Sequence, residues 1–400
     1  MIQVACQKPG RTTSVNCRGI EMSEPMTSAQ RSAADAVMDG GGLSGSHVPM
    51  HESEAAQWLE QIYGMRGSLS RLPAEKDDTF RVTIDGHPHS VLKVANPYDP
   101  TEELDFQIQM MKHVDRVDNS IPIPKVMSSI DGAHLTPITD AAGQYRQVWL
   151  IEHLSGRTLD TLESNSAQRE TIGELLGKLR NATATFSHSR AERILAWDVR
   201  HLARLTPLVG FVEDERHRHQ LQRGLERFAE LQPRIDALAC QILHNDFSKS
   251  NILADPENIE SITGIIDFGD SVYTAVAVDV STALLHNFPR DVATNPTQDV
   301  LAGGRDMVRG YLRVAQLTDE ELSLIPHLTM GRIIARALIT TRRAQLFPHN
   351  VGYIMRNTEP GWAQLDWFLD RTVDDLSQTF CNDIRHGDGN TMKPSQRSKS

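Results

Sequence analysis

Several large functional classes are excluded by what the chain lacks. Only four of its 400 residues are cysteine (Cys6, Cys17, Cys240 and Cys381). They lie far apart with no Cys-x-x-Cys pair, so they read as free thiols in a reducing compartment, neither a zinc site nor a disulfide framework. There is no block of consecutive like charges, and the net charge is −11. That balance argues against nucleic acid or an anionic membrane as a partner and suits a cationic small molecule. No apolar run approaches the roughly 18 residues of a membrane span. The N-terminus lacks the apolar core of a signal peptide, and we expect a cytoplasmic location. No internal repeat is present, and no Gly-x-Gly-x-x-Gly phosphate loop. What remains is an ordinary globular composition, 39% hydrophobic and 23% charged, long enough for two domains rather than one.

Composition shifts divide the chain. Residues 1–50 are rich in Gly, Ser and Thr, include "DGGGLSGS" and show no apolar period, so a disordered leader is expected. Lys8, Arg11 and Arg18 without an acid leave an organelle-targeting peptide as the alternative, or a start displaced to Met22, Met26 or Met50. A first lobe is expected over 51–154, a second over 155–380, and a disordered tail over 381–400. "TFRVTIDGHPHSVLKVAN" (79–96) alternates Phe80, Val82 and Ile84, meets Asp85-Gly86 and resumes at Val91, which predicts a hairpin. In 101–114, Leu104, Ile108 and Met111 share one helical stripe. "SIPIPKVM" and "QVWLIEHL" supply further short strands. After "SGRTL" the pattern turns helical, over 170–179 and through the charged stretch 212–238. "NILAD", a turn at Pro256-Glu257-Asn258 and "ITGIIDFGD" predict a second hairpin, and everything beyond 279 reads as helix. The fold class expected is α+β: a small β-rich lobe, a linker near 153–157, and a larger helical lobe with an embedded hairpin.

The hairpin carries the chemistry. In "LHNDFSKSNILAD" (243–255), His244, Asp246 and Asn251 crowd together and run into Ile252-Leu253. Unpaired polar groups at such a place cost on the order of 1–3 kcal/mol each, so they satisfy one another or hold something. His-x-Asp-x-x-x-x-Asn is the spacing of a kinase-like catalytic loop. One carboxylate receives or orients the proton of an attacking hydroxyl. A neutral amide five residues on can ligate Mg²⁺ without adding a charge beside the triphosphate. A second carboxylate must lie on the neighbouring strand, and "GIIDFGD" offers Asp267. An upstream strand lysine should meet the phosphates. "VLKV" offers Lys93, although alternation does not tell cleft from solvent.

Taken singly, each residue has a plainer reading: a core histidine, a turn, a loop-capping acid, a surface lysine. The ordered set, with suitable elements between its members, outweighs them. "HRH" (217–219) reads as a solvated face, Arg342-Arg343 as surface, and Trp362 and Trp367 as core. A glycosidase pair of Asp246 and Asp267 would leave Lys93, Asn251 and the two-lobed order unexplained.

These residues resemble the aminoglycoside phosphotransferase/choline kinase-like family, and within it the hydroxylysine kinase branch, over about 55–375. The resemblance is carried by "YGMRGSLSRLPAEKDDTFRV", "VLKVAN", "LDFQ", "IPIPKV", "LIEHLSGRTL", "WDVRH", "LHNDFSKSNIL" and "GIIDFGDSVYTAVAVDVSTAL". It implies a two-lobed protein-kinase-like fold, with Asp246 as catalytic base, Asn251 and Asp267 as Mg²⁺ ligands and Lys93 on the nucleotide phosphates. Glu152, His153 and Leu154 would form the purine hinge, largely through backbone, while His244 and Asp279 would brace the loop. ATP or GTP would be the donor, with GTP favoured by the branch. The acceptor would be an amino-bearing small molecule, 5-hydroxylysine first and an aminoglycoside or amino alcohol second.

Three departures stand out. Asn245 replaces the family's usual glycine. Gln107 stands where a helix acid should pair with the lysine, leaving Asp105 or Glu103 to substitute. Gly64 and Gly67 are the only glycines available for a phosphate cover. The first two keep a nucleotide-binding pseudokinase as the alternative from a different class. A protein kinase is disfavoured, because no Ala-Pro-Glu follows the Asp-Phe-Gly.

Overall fold

The hairpin read in 79–96 forms the middle of an antiparallel sheet. The structure is a computed structural model that describes residues 47–386 apart from residue 75. Helix α1 (Glu52–Tyr63) precedes strands β1 (Ser68–Leu72), β2 (Asp78–Ile84) and β3 (His87–Val94). Then come α2 (Thr101–Val117), β4 (Val126–Met127), β5 (Thr136–Thr139) and β6 (Tyr145–Glu152). The sheet order is β1-β2-β3-β6-β4, with β5 also paired to β6. Asp85 and Gly86 take positive φ at the β2–β3 turn, as a tight hairpin requires. Phe80, Val82, Leu92, Val94, Val148 and Leu150 alternate onto one buried face, and Leu59 and Ile62 of α1 cover it.

That small core has a charged pin. Asp78 is 2% exposed and accepts from the Met50 N–H at 2.9 Å, from Arg71 and from Arg146 at 2.7 Å. Burial alone would raise its pKa. These three donors reverse that and hold the carboxyl below its usual range. Met50 is itself buried, Val48 exchanges backbone hydrogen bonds with the Gln144 side chain and His47 lies 3.4 Å from Asp78, so the expected leader overruns the fold at its end. The remainder of the leader lies outside the described residues.

The second lobe is built on helices. Strand β7 (Arg157–Thr158) pairs with β9 (Ile252–Ala254), which pairs with β10 (Ile262–Ile265) as the second predicted hairpin. β8 (Cys240–Leu243) and β11 (Val272–Ala275) make a separate ribbon. Around them lie α3 (Ser166–Thr183), a long 3₁₀ stretch (Val199–Phe211), α4 (Glu215–Asp236), α5 (Val276–Leu285) and α6 (Ala302–Tyr311). The chain ends with α7 (Asp319–Leu346), α8 (Val351–Met355), α9 (Glu359–Leu369) and α10 (Val373–His386). α3 and α6 approach backbone to backbone, since a Cβ on Gly173 would stand 1.7 Å from the Met307 carbonyl.

Among the described residues, α7 is the one helix long and apolar enough to cross a membrane, and 89% of its apolar window is buried inside this lobe. Trp362 and Trp367 are core, as read, while His217 stacks on the Trp362 ring at 3.9 Å. The expected tail needs a correction at its start. Residues 381–386 continue α10, because Phe380 and Ile384 bury the helix face against the core. The rest of the tail lies outside the described residues.

Candidate active site

β8 and β11 deliver the chain to a loop at the base of the cleft. His244 is fully buried there. Its Nδ1 takes the Asp246 N–H at 3.3 Å and its Nε2 faces the Ile266 carbonyl at 3.2 Å. One nitrogen accepting and the other donating defines the neutral Nε2–H tautomer. Burial, opposed only in part by Asp267 and Ile266, pushes its pKa down to about 4. Asn245 sits at φ 60°, the left-handed region that explains a glycine preference at this position. Its N–H donates to Asp279 at 2.7 Å, and burial pushes that carboxyl up to about 7. Both side-chain atoms of Asn245 are buried with no partner among the described residues.

Asp246 then turns into the cleft. The Asn251 amide donates to its carboxylate at 2.7 Å and to its backbone carbonyl at 3.0 Å. The Asn251 carbonyl takes the Ile266 N–H at 2.9 Å, so the β9–β10 hairpin seats Asp267 beside the loop. Asp267 is held at φ 64° and accepts from the Gly269 N–H at 3.3 Å. Burial pushes the Asp246 carboxyl up to about 7; Asp270 and Asp267 add to this, while Arg332 and Asn251 oppose it.

The cleft holds about 390 Å³ and is lined by Lys93, Asp246, Asp267, and all three expected hinge residues, Glu152, His153 and Leu154. His244 and Asn251 stand behind that lining. Lys93 points inward, its Nζ 4.9 Å from the Trp149 ring centre, which settles the ambiguity left by alternation. In the hinge, the Glu152 N–H is taken by the Lys125 carbonyl and the His153 N–H by the His89 carbonyl. The Leu154 N–H carries no such bond among the described residues, and Leu154 lines the cleft.

The expected partners of Lys93 are corrected. Glu103 is taken by Arg190 at 2.7 Å and Arg193 at 2.9 Å, and Asp105 by His188 at 3.1 Å. The carboxylate that reaches Lys93 is Asp77, at 3.8 Å, with its other oxygen fixed by the Asn96 N–H. It comes from the loop joining β1 and β2. That loop also places Pro73, Ala74 and Lys76 in the cleft, where a glycine-rich cover would otherwise lie. Gly64 instead caps α1 at φ 66°, and Gly67 packs under the Thr83 carbonyl. The Asp-Asp in "AEKDDTF" was the available signal. There a carboxylate directly follows a lysine at the head of a strand.

Two further residues escaped the sequence reading. Trp197 lines the cleft beside Asp246. Arg332, on α7, lies 3.7 Å from the Asp246 carboxylate, donates to the Trp197 carbonyl and rests its guanidinium 4.9 Å from that ring. Nothing in the helical pattern of α7 separates this arginine from a surface one.

The donor set fits a divalent cation. Asn251 uses its amide nitrogen on Asp246, which leaves the carboxamide oxygen as its metal-facing atom. Asp270 and Asp267 add to the burial that lifts the Asp246 carboxyl, and a cation between them would relieve that repulsion. No tight group of three His, Cys, Asp or Glu side chains occurs among the described residues. This matches a cation that takes few protein ligands and completes its shell with phosphate and water.

Comparison with known proteins agrees with this geometry. Residues 68–317 match the model of the phosphotransferase enzyme family. Hydroxylysine kinase of Mus musculus is 25% identical over 344 residues, covering 80% of this chain and 89% of that protein. Homoserine kinase of Zymomonas mobilis is 24% identical over 299 residues, covering 74% and 87%. Among solved structures, a microcompartment-associated aminopropanol kinase superposes with TM-score 0.62 at 18% identity, covering 79% of this chain and 97% of that one. An amicoumacin kinase complexed with AMP-PNP and Ca²⁺ gives 0.55 at 15%, covering 84% and 96%. These superpositions show the two-lobed kinase-like α+β fold. The match to the family model spans well over half of the sequence, and the chain belongs to the phosphotransferase enzyme family, as a small-molecule phosphotransferase.

Proposed function

We propose that the protein is an amino-acid O-kinase, moving the γ-phosphoryl group of ATP or GTP onto the hydroxyl of 5-hydroxylysine or a close relative. The observation that carries this reading is Asp246, held by Asn251 at 2.7 Å and facing Lys93 across one cleft. The mouse and Zymomonas relatives supply the acceptor class, and the second of them favours homoserine as the runner-up.

The purine lies against Glu152, His153 and Leu154, where the Leu154 N–H is the available donor. Lys93, steadied by Asp77, meets the phosphates, and Lys76 adds charge from the overhanging loop. Asn251 and Asp267 would hold Mg²⁺, which would supply charge neutralisation to the nucleotide's phosphates. Asp246 receives the acceptor's proton as the new P–O bond forms and the β–γ bridging P–O bond breaks, releasing the nucleoside diphosphate. A carboxyl already pushed up to about 7 is suited to accept it. Neutral His244 keeps the loop in place without adding charge.

The test is nucleoside diphosphate release with Mg²⁺ and either nucleotide, across 5-hydroxylysine, homoserine, choline, ethanolamine and kanamycin. Acceptor-dependent release on 5-hydroxylysine, absent in Asp246→Asn, is the expected result. Release on kanamycin alone would move the acceptor to another class. Nucleotide binding without any release would reduce the site to a binding module.

A further inference from the structure

Arg332 brings positive charge to Asp246 from α7. One helical turn beyond Arg332 on α7 stands Arg336. Its Nη2 donates to Gln364 at 3.2 Å, while its Nε is buried and meets no acceptor among the described residues. No carboxylate lies within ion-pair reach of it among the described residues. Its charged neighbours are Arg332 and Arg290, both cations. His286 follows α5, near enough for the charges of Arg336, Arg332 and Lys249 to bear on its ring. The carboxylate that Arg332 meets is Asp246. One amide oxygen does not satisfy a guanidinium with five donors. A half-buried guanidinium without a counter-ion is a ready partner for an anion. The donor's phosphates belong to Lys93 and Lys76 across the cleft, so the anion that completes this cluster must arrive with the acceptor.

We propose that Arg336, backed by Arg332 and His286, is the subsite that holds the acceptor's carboxylate. The inference rests on the reading of Asp246 as the residue that meets the acceptor hydroxyl. A planar guanidinium with two free N–H groups matches a carboxylate in a bidentate grip. The burial that depresses His286 keeps it neutral beside the arginines, so it hydrogen-bonds the same anion without competing for it. The cluster selects amino acids over choline, ethanolamine and polycationic aminoglycosides, whose charge it repels.

The test pairs each amino acid with its decarboxylated counterpart: 5-hydroxylysine with 1,5-diaminopentan-2-ol, and homoserine with 3-aminopropan-1-ol. Both kcat/KM and calorimetric binding in the presence of a non-hydrolysable nucleotide are measured on the full chain. The wild type is expected to favour the acid by roughly 100-fold, and Arg336→Gln to reduce that ratio towards one, chiefly through KM. Arg336→Lys, which keeps the charge and loses the fork, should recover part of the ratio. Melting temperature and nucleotide affinity report whether each variant is folded. If the wild type favours the acid and both variants keep the full ratio, the subsite is wrong while the amino-acid kinase reading stands. Preference for the decarboxylated amines or kanamycin, or no binding of either partner of a pair, overturns the subsite together with that reading.

Discussion

The floor of the cleft and its walls are assembled in different ways. On the floor, His244, Asp246 and Asn251 belong to one short loop and satisfy one another at 2.7–3.3 Å, with Asp267 delivered by the adjoining hairpin. The roof and walls come from segments far apart in the chain: the roof from Asp77 between β1 and β2, the walls from Trp197 before a 3₁₀ stretch and from Arg332 on α7, with Arg336 one turn further along that helix. A local constellation can be altered only as a unit, because each member holds the next. Residues contributed singly by long helices can change one at a time without disturbing the loop. On the proposed function, phosphoryl transfer would depend on the floor, nucleotide affinity on the roof, and acceptor choice on the walls.

The strongest way to break this division is at Asp246. Asp246→Asn keeps the shape and the contact with Asn251 but removes the proton acceptor, and kcat should fall by about 10²–10⁴-fold. Nucleotide affinity, read by calorimetry, should move far less. A parallel collapse of nucleotide binding would mean that floor and roof are one cooperative unit.

The floor should also be sensitive to acid. His244 has a folded pKa of about 4 against 6.5 when unfolded, so protonation favours the unfolded chain. Its stabilising contribution is complete above pH 6.5 and is lost as pH falls through about 4. The slope is about 1.4 kcal/mol per pH unit between those values. His327, buried between Arg227 and Ser377, is pushed down to about 3 and acts in the same direction. Denaturant unfolding at pH 7 and pH 5 should show a loss that becomes smaller in His244→Gln. An unchanged slope in that variant would place the acid sensitivity in the walls.

At the roof, Asp77→Asn removes the carboxylate 3.8 Å from Lys93. A partly buried charged pair is worth on the order of 1–2 kcal/mol, so the nucleotide KM should rise about tenfold with the acceptor KM little changed. Glu103→Gln, which acts on Arg190 and Arg193 instead, should leave the nucleotide KM alone. The opposite pattern would return the pairing role to α2.

What could be read from the sequence follows the same division. Short-range patterns carried the two hairpins, the stripe of α2, and the floor residues with their spacing, since local geometry and local chemistry coincide there. The hinge came from the family resemblance alone, and Glu152, His153 and Leu154 do line the cleft. Asp77 was missed because the resemblance leads one to look for a helix acid at Glu103, Asp105 or Gln107, whereas a loop residue reaches the lysine through the sheet register Thr79 to Lys93. Arg332 and Arg336 lie in "GRIIARALITTRRAQL", where arginines recur on several faces. Only the packing of α7 against its neighbours decides which of them turn inward. Helix α1 escaped because its apolar positions, Ala55, Leu59 and Ile62, are too few to stand out beside a leader of weak pattern.

The smallest expected effect lies at the one floor residue whose side chain does not join the network. Asn245 adopts φ 60° with its carboxamide buried and unpartnered among the described residues. Left-handed backbone costs an ordinary residue about 1–2 kcal/mol, and an unsatisfied buried amide about 1–3 kcal/mol. Against these stand the extra chain entropy of glycine, roughly 0.5–1 kcal/mol, and the space left by the side chain. Asn tolerates this conformation better than most residues, which narrows the difference. Asn245→Gly should therefore stabilise the protein by no more than about 1 kcal/mol, read as a small rise in Tm, with kcat retained, because the contact to Asp279 is made by the backbone. A fall in kcat without a fall in Tm would mean that the carboxamide finds its partner only when substrates are bound. Asn245 would then count with the walls, as a residue that reads the acceptor from within the loop.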